Sequence, residues 1–110
     1  MKIEVKNSHV GEVIDELRDR IPTILEAVGI EAEGNAVDEI TTLGAVDTGR
    51  LRGSISHAVD GNTVYIGTNV EYAPYVELGT SRMAPRPFLR NAIDNNMDDY
   101  QQIVEEGLKS

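Results

Sequence analysis

A chain of 110 residues has room for one domain with a modest core, and residues 1–110 are read as a single unit. The absence of cysteine excludes a disulfide framework and a thiolate metal site, and the opening MKIEVKNSHV contains no apolar run of signal-peptide length. The net charge of −9 is concentrated in residues 1–46 and 91–110; residues 47–90 hold five arginines against four acids, and the overall acidity opposes indiscriminate binding of duplex DNA.

Lys2 to Lys6 alternates, with Ile3 and Val5 on one face, which predicts a short strand. Val10, Val13, Ile14, Leu17 and Ile21 then recur at three- and four-residue spacing, predicting an amphipathic helix that opens near Ser8 or His9. The same stripe runs on through Ile24, Leu25, Val28, Ala32, Ala36, Ile40 and Leu43. Pro22 interrupts it by removing a backbone donor and disfavouring helical geometry at Ile21, so a kink or tight break is expected there. Gly29 and Gly34 each cost about 1 kcal/mol relative to alanine in a helix interior, so this helix depends on packing.

Asp47-Thr48-Gly49 reads as a structural turn, with side chains that bond nearby backbone donors and a glycine free to take positive φ. From Ser54 to Thr68 the period becomes two. Ile55, His57 and Val59 share a face, Asp60-Gly61-Asn62 supplies a turn, and Val64 and Ile66 resume the alternation, predicting a β-hairpin. Residues 69–87 contain three prolines and fit neither period, the mark of a binding loop or of a segment ordered by a partner. A last helix is predicted from Pro87, with Leu89, Ala92, Ile93, Met97, Tyr100, Ile103, Val104 and Leu108 as its stripe. The fold class is α+β: a small antiparallel sheet, made of the N-terminal strand and the hairpin, packed by a long kinked N-terminal helix and a C-terminal helix.

Catalytic constellations find little support. Ser56 and His57 are consecutive strand residues and face opposite ways, and Ser54 shares the face of Ser56. His9 and His57 belong to separate elements, and no Glu-x-x-His or calcium-loop spacing occurs, so no metal site is expected. No segment reaches the ~20 apolar residues of a membrane span. The clearest signal is Tyr72, Tyr75 and Phe88 interspersed with Arg82, Arg86 and Arg90, with Arg50 and Arg52 upstream. Tyrosine and arginine join large contact area to directional polar groups, which suits a protein interface. The same pairing can form a stacking platform for single-stranded nucleic acid.

The stretches VDTGRLRGSI and VYIGTNVEYAPYVELGT, followed by RPFL at the head of a closing helix, resemble the tail-completion or tail-component family of long-tailed phages and related tailed viruses. The resemblance covers roughly residues 20–105, and its specific part is residues 47–90. It implies a non-enzymatic virion protein of the head–tail junction, with no cofactor and no small-molecule substrate, assembled as a homo-oligomeric ring in the host cytoplasm and touching neighbouring neck and tail proteins. Genomic DNA would be passing cargo, and acidic side chains lining the bore would keep it from sticking. A tail terminator, stopper or adaptor ring of the same neck is the alternative station. A ring needs two complementary surfaces on each subunit. The resemblance therefore directs attention to Arg50, Arg52, Tyr72, Tyr75, Glu77, Thr80, Arg82, Arg86, Phe88 and Arg90 as interface candidates, with residues 69–87 docking and Arg82 and Arg86 meeting carboxylates.

Overall fold

The computed structural model describes residues 2–4, 19–43 and 48–109. The helix expected from Ser8 or His9, the stripe residues Val10 to Leu17, and Asp47 lie outside the described residues. Strand β1 (Lys2–Glu4) pairs antiparallel with β3 (Thr63–Gly67), placing Ile3 opposite Val64. Strand β2 (Ser56–Asp60) pairs on the other side of β3 with His57 opposite Ile66, which gives the order β1-β3-β2. The hairpin closes through Gly61 and Asn62. Gly61 has φ +59°, the sign that tight hairpin turns require at their first loop residue. Alternation holds: Val64 and Ile66 are buried, whereas Tyr65 faces outward.

Helix α1 (Ile21–Leu43) lies across the inner face of this sheet. Pro22 falls in its first turn, where a missing N–H costs nothing, and the Arg20 carbonyl accepts the Ile24 N–H at 3.0 Å. From there the helix runs unbroken. Leu25, Val28, Ala32, Ala36 and Ile40 form its inward stripe, each at 2% exposure or less. Burying each of the larger of these side chains contributes about 1.5–3 kcal/mol.

Three segments differ from expectation. Thr48 and Gly49 do not form an open turn; they begin a two-turn helix, α2 (Thr48–Ser54), and Gly49 is not a positive-φ residue. The fully buried Leu51 anchors that helix to α1, and packing of this apolar side chain outweighs the two glycines of the segment. The 69–87 segment is partly regular, because α3 (Ala73–Leu78) forms within it, with Pro74 in its first turn and Ala73 and Val76 buried. The closing helix is two helices, α4 (Phe88–Asp94) and α5 (Met97–Lys109). At the break the Asn96 side chain donates to the Ala92 carbonyl at 3.0 Å, and the Tyr100 hydroxyl donates to the same oxygen at 2.5 Å. Asparagine competes here with the helical ladder. Met97, the first residue of α5, is 45% exposed, although its stripe spacing predicts burial. Both helices pack on α1, α4 through Phe88, Leu89, Ala92 and Ile93 and α5 through Tyr100 and Val104.

Candidate functional site

The ten interface candidates do not behave alike. Helix α2 buries Leu51 and so turns Arg50 and Arg52 outward. Arg50 makes a two-pronged bond to Glu71, Nη1 to Oε1 at 3.0 Å and Nη2 to Oε2 at 2.8 Å, and its guanidinium lies 5.5 Å from the Tyr72 ring centre. The Arg50 bonds, with a backbone N–H, hold the Glu71 carboxyl below the usual range. Arg52 reaches back to the Thr41 hydroxyl of α1 at 3.4 Å. These contacts tie α2 to its own neighbours.

Two candidates hold the fold. Phe88 is fully buried in the core, so it offers no surface to a partner; its register with Leu89, Ala92 and Ile93 carries it inward. Glu77 accepts the Leu89 N–H at 2.8 Å and the Arg90 N–H at 3.2 Å, satisfying the first amides of α4, which otherwise lack partners. Thr80 is likewise engaged. It exchanges backbone bonds with Met83, and its hydroxyl accepts the Arg82 N–H at 3.2 Å. Gly79, at φ +77°, lets the chain turn sharply out of α3 into this loop. Arg86 is half-buried, its N–H bonded to the Val76 carbonyl at 2.8 Å.

What faces outward is a narrower group. Tyr75 and Leu78, one turn apart on α3, are 60% and 70% exposed, and Arg82 and Arg90 are exposed beyond them. The sequence pattern does not single out Leu78. Its exposure follows from the i, i+3 spacing to Tyr75 on a helix whose other side buries Ala73 and Val76, and that helix was hidden in a proline-rich stretch.

A second constellation joins α1 to β2. His57 lies against Gly29 with Nδ1 2.6 Å from Glu33 and Nε2 2.5 Å from Glu26, and its side chain is 13% exposed. Burial pulls its pKa down, but the hydrogen bonds and charges of Glu33 and Glu26 outweigh burial and raise it above the ordinary value. Both ring nitrogens are occupied by carboxylates. The hydroxyl of Ser54 is held elsewhere, donating to the Leu51 carbonyl at 2.7 Å and lying 2.5 Å from the Thr68 hydroxyl. The cluster therefore fastens the helix to the sheet edge. Among the described residues no group of side chains is placed to hold a metal ion, and no helix is long and apolar enough to cross a membrane.

Residues 7–79 match the family model described as "Bacteriophage HK97-gp10, putative tail-component". That range is about two thirds of the chain; it includes Tyr72, Tyr75 and Leu78 and ends before Arg82, Arg86 and the Pro-Phe-Leu at the head of α4. Comparison with curated proteins and with solved structures gives no significant match.

Proposed function

The chain belongs to the HK97-gp10-like family of phage tail components, and we propose that it acts without catalysis, as a ring-forming structural protein at the head–tail junction. Membership makes it a structural component of the virion tail and so a protein that touches other virion proteins. The finer reading rests on one observation. Tyr75 and Leu78 stand exposed on a short helix pinned by Gly79, Glu77 and the Thr80–Met83 loop, while the acids of α1 and α5 lie on other elements. A subunit with a rigid aromatic and basic projection and separate acidic surfaces has the two unlike faces that a head-to-tail ring requires. DNA would pass through such a ring as cargo, with acidic side chains towards the bore.

Particles assembled without the protein test the station. The expected outcome is filled heads and separate, finished tails that fail to join; normal infectious virions would refute it. A tail terminator would instead leave tails of abnormal length. The nucleic-acid reading loses support from the geometry, because Arg50 covers the Tyr72 ring and leaves Tyr75 as the outward aromatic of the pair. A salt-sensitive shift of a labelled single-stranded oligonucleotide would revive it.

A further inference from the structure

The outward face of α1 is unusual for a helix that lies on a core. Opposite the buried stripe, Ala27, Ile30, Gly34 and Val37 recur at three- and four-residue spacing; Ile30 is 59% exposed and Val37 is half-buried. Glu31 and Asp38, each four residues beyond Ala27 or Gly34, border this face, and α1 carries no lysine or arginine. Glycine weakens a helix relative to alanine, and Gly29 has a reason inside the subunit, the imidazole laid against it. Gly34 has none, since a Cβ built there meets nothing within 4 Å. A glycine on an exposed apolar face, open above and bordered by carboxylates, leaves a flat floor on which a large ring can lie.

The same chain presents a matching projection. Among the described residues Tyr75 and Leu78 are the two most exposed large apolar side chains, Arg82 stands at the tip of the loop that follows, and Arg82 has no ion-pair partner. Within one subunit α4 packs on α1 and α3 packs on α4, so the projection and the floor belong to different elements and face different surroundings. We propose that Tyr75 and Leu78 of one copy dock on the Ile30–Gly34 face of α1 in a second copy, with Arg82 paired to Glu31 or Asp38. This inference rests on the ring-forming reading and names the contact that would build the ring. Tyrosine and arginine are the side chains that most often carry binding energy in such interfaces, with Leu78 extending the apolar contact, and the charge pairs fix its register. The contact is heterologous, so its repetition generates a ring or filament rather than an isolated dimer.

The chain has no cysteine, so a cysteine pair reports the contact cleanly. Tails would be assembled from a mixture of two tagged, full-length variants, Ile30→Cys and Leu78→Cys, and oxidised. The proposal expects a disulfide between the two tags in the tail particles. Incorporated copies without that link, or linked only to another virion protein, overturn the contact and leave the ring reading standing. Absence of the protein from tails overturns both. Gly34→Gln serves as the second arm. It raises helix propensity and fills the floor, so the subunit should unfold no more readily than the parent while self-association weakens about ten-fold or more, about 1.4 kcal/mol per factor of ten; unchanged association would refute the docking.

Discussion

Substituting Gly29 by alanine isolates the junction between α1 and the sheet. In a helix interior the change should stabilise by about 1 kcal/mol. Here the added Cβ would stand 2.3 Å from Cδ2 and 2.8 Å from Cγ of His57, closer than non-bonded carbons approach. The imidazole cannot simply swing away, because Glu26 and Glu33 hold both nitrogens. Moving it sacrifices at least one charge-assisted hydrogen bond, about 1.5–3 kcal/mol when shielded from water. Glu26 is 53% exposed, so solvent screening brings that bond to the lower end. Local overpacking adds roughly 1 kcal/mol or more. The net expectation is a loss of about 1–3 kcal/mol for Gly29→Ala, read as the urea midpoint at pH 6 with an unchanged slope. The same substitution in a His57→Ala background has space and should instead stabilise by up to about 1 kcal/mol, a sign reversal that a double-mutant cycle resolves. Equal costs in both backgrounds would refute the reasoning, because the clash would then not involve the imidazole.

Protonation of His57 gives a second test. A pKa raised in the folded state adds stability that is fully present below the unfolded value of about 6.5 and is lost as pH rises through the elevated folded value. Stability should therefore fall across that window in the parent protein and stay flat there in His57→Gln, as followed by thermal melts at closely spaced pH. Glu77→Ala removes the acceptor for two α4 amides and should cost about 1–2 kcal/mol. Backbone-amide exchange should show the loss first at Leu89 and Arg90. Gly79→Ala meets both strain at φ +77° and the backbone of Met83 and Pro85 at 2.7–2.9 Å, which cannot give way as a side-chain tip can. A loss of about 2 kcal/mol or more is expected in chemical denaturation, while Gly34→Ala should raise stability.

Regular periodicity made the larger elements legible. The 3.6-residue stripe from Ile24 to Ile40 and the alternation at His57, Val59, Val64 and Ile66 each require an inward side; the structure buries the helical stripe with Val64 and Ile66 and half-buries His57 and Val59. Helix α3 was hidden because six residues supply less than two turns of pattern and Pro74 looks like a breaker, although it occupies a first-turn position where it is tolerated. The arginines around Phe88 point to an interface, yet its helical register with Ala92 takes it into the core. The role of Glu77 depends on α3 lying beneath the start of α4, a tertiary relation without a local signature. The alternation with Ile55 and Val59 turns His57 to the inward side, as the structure has it. Its partners were not identifiable, because Glu26 and Glu33 flank Gly29 at a spacing that gains meaning only from the register of α1 against β2.

Location in the virion tests the central claim most directly. An epitope tag at the C-terminus, decorated with gold-labelled antibody on intact particles, should mark a single site at the head-proximal end of the tail. Label distributed along the tail tube, confined to the distal tip, or missing from mature particles would contradict the account.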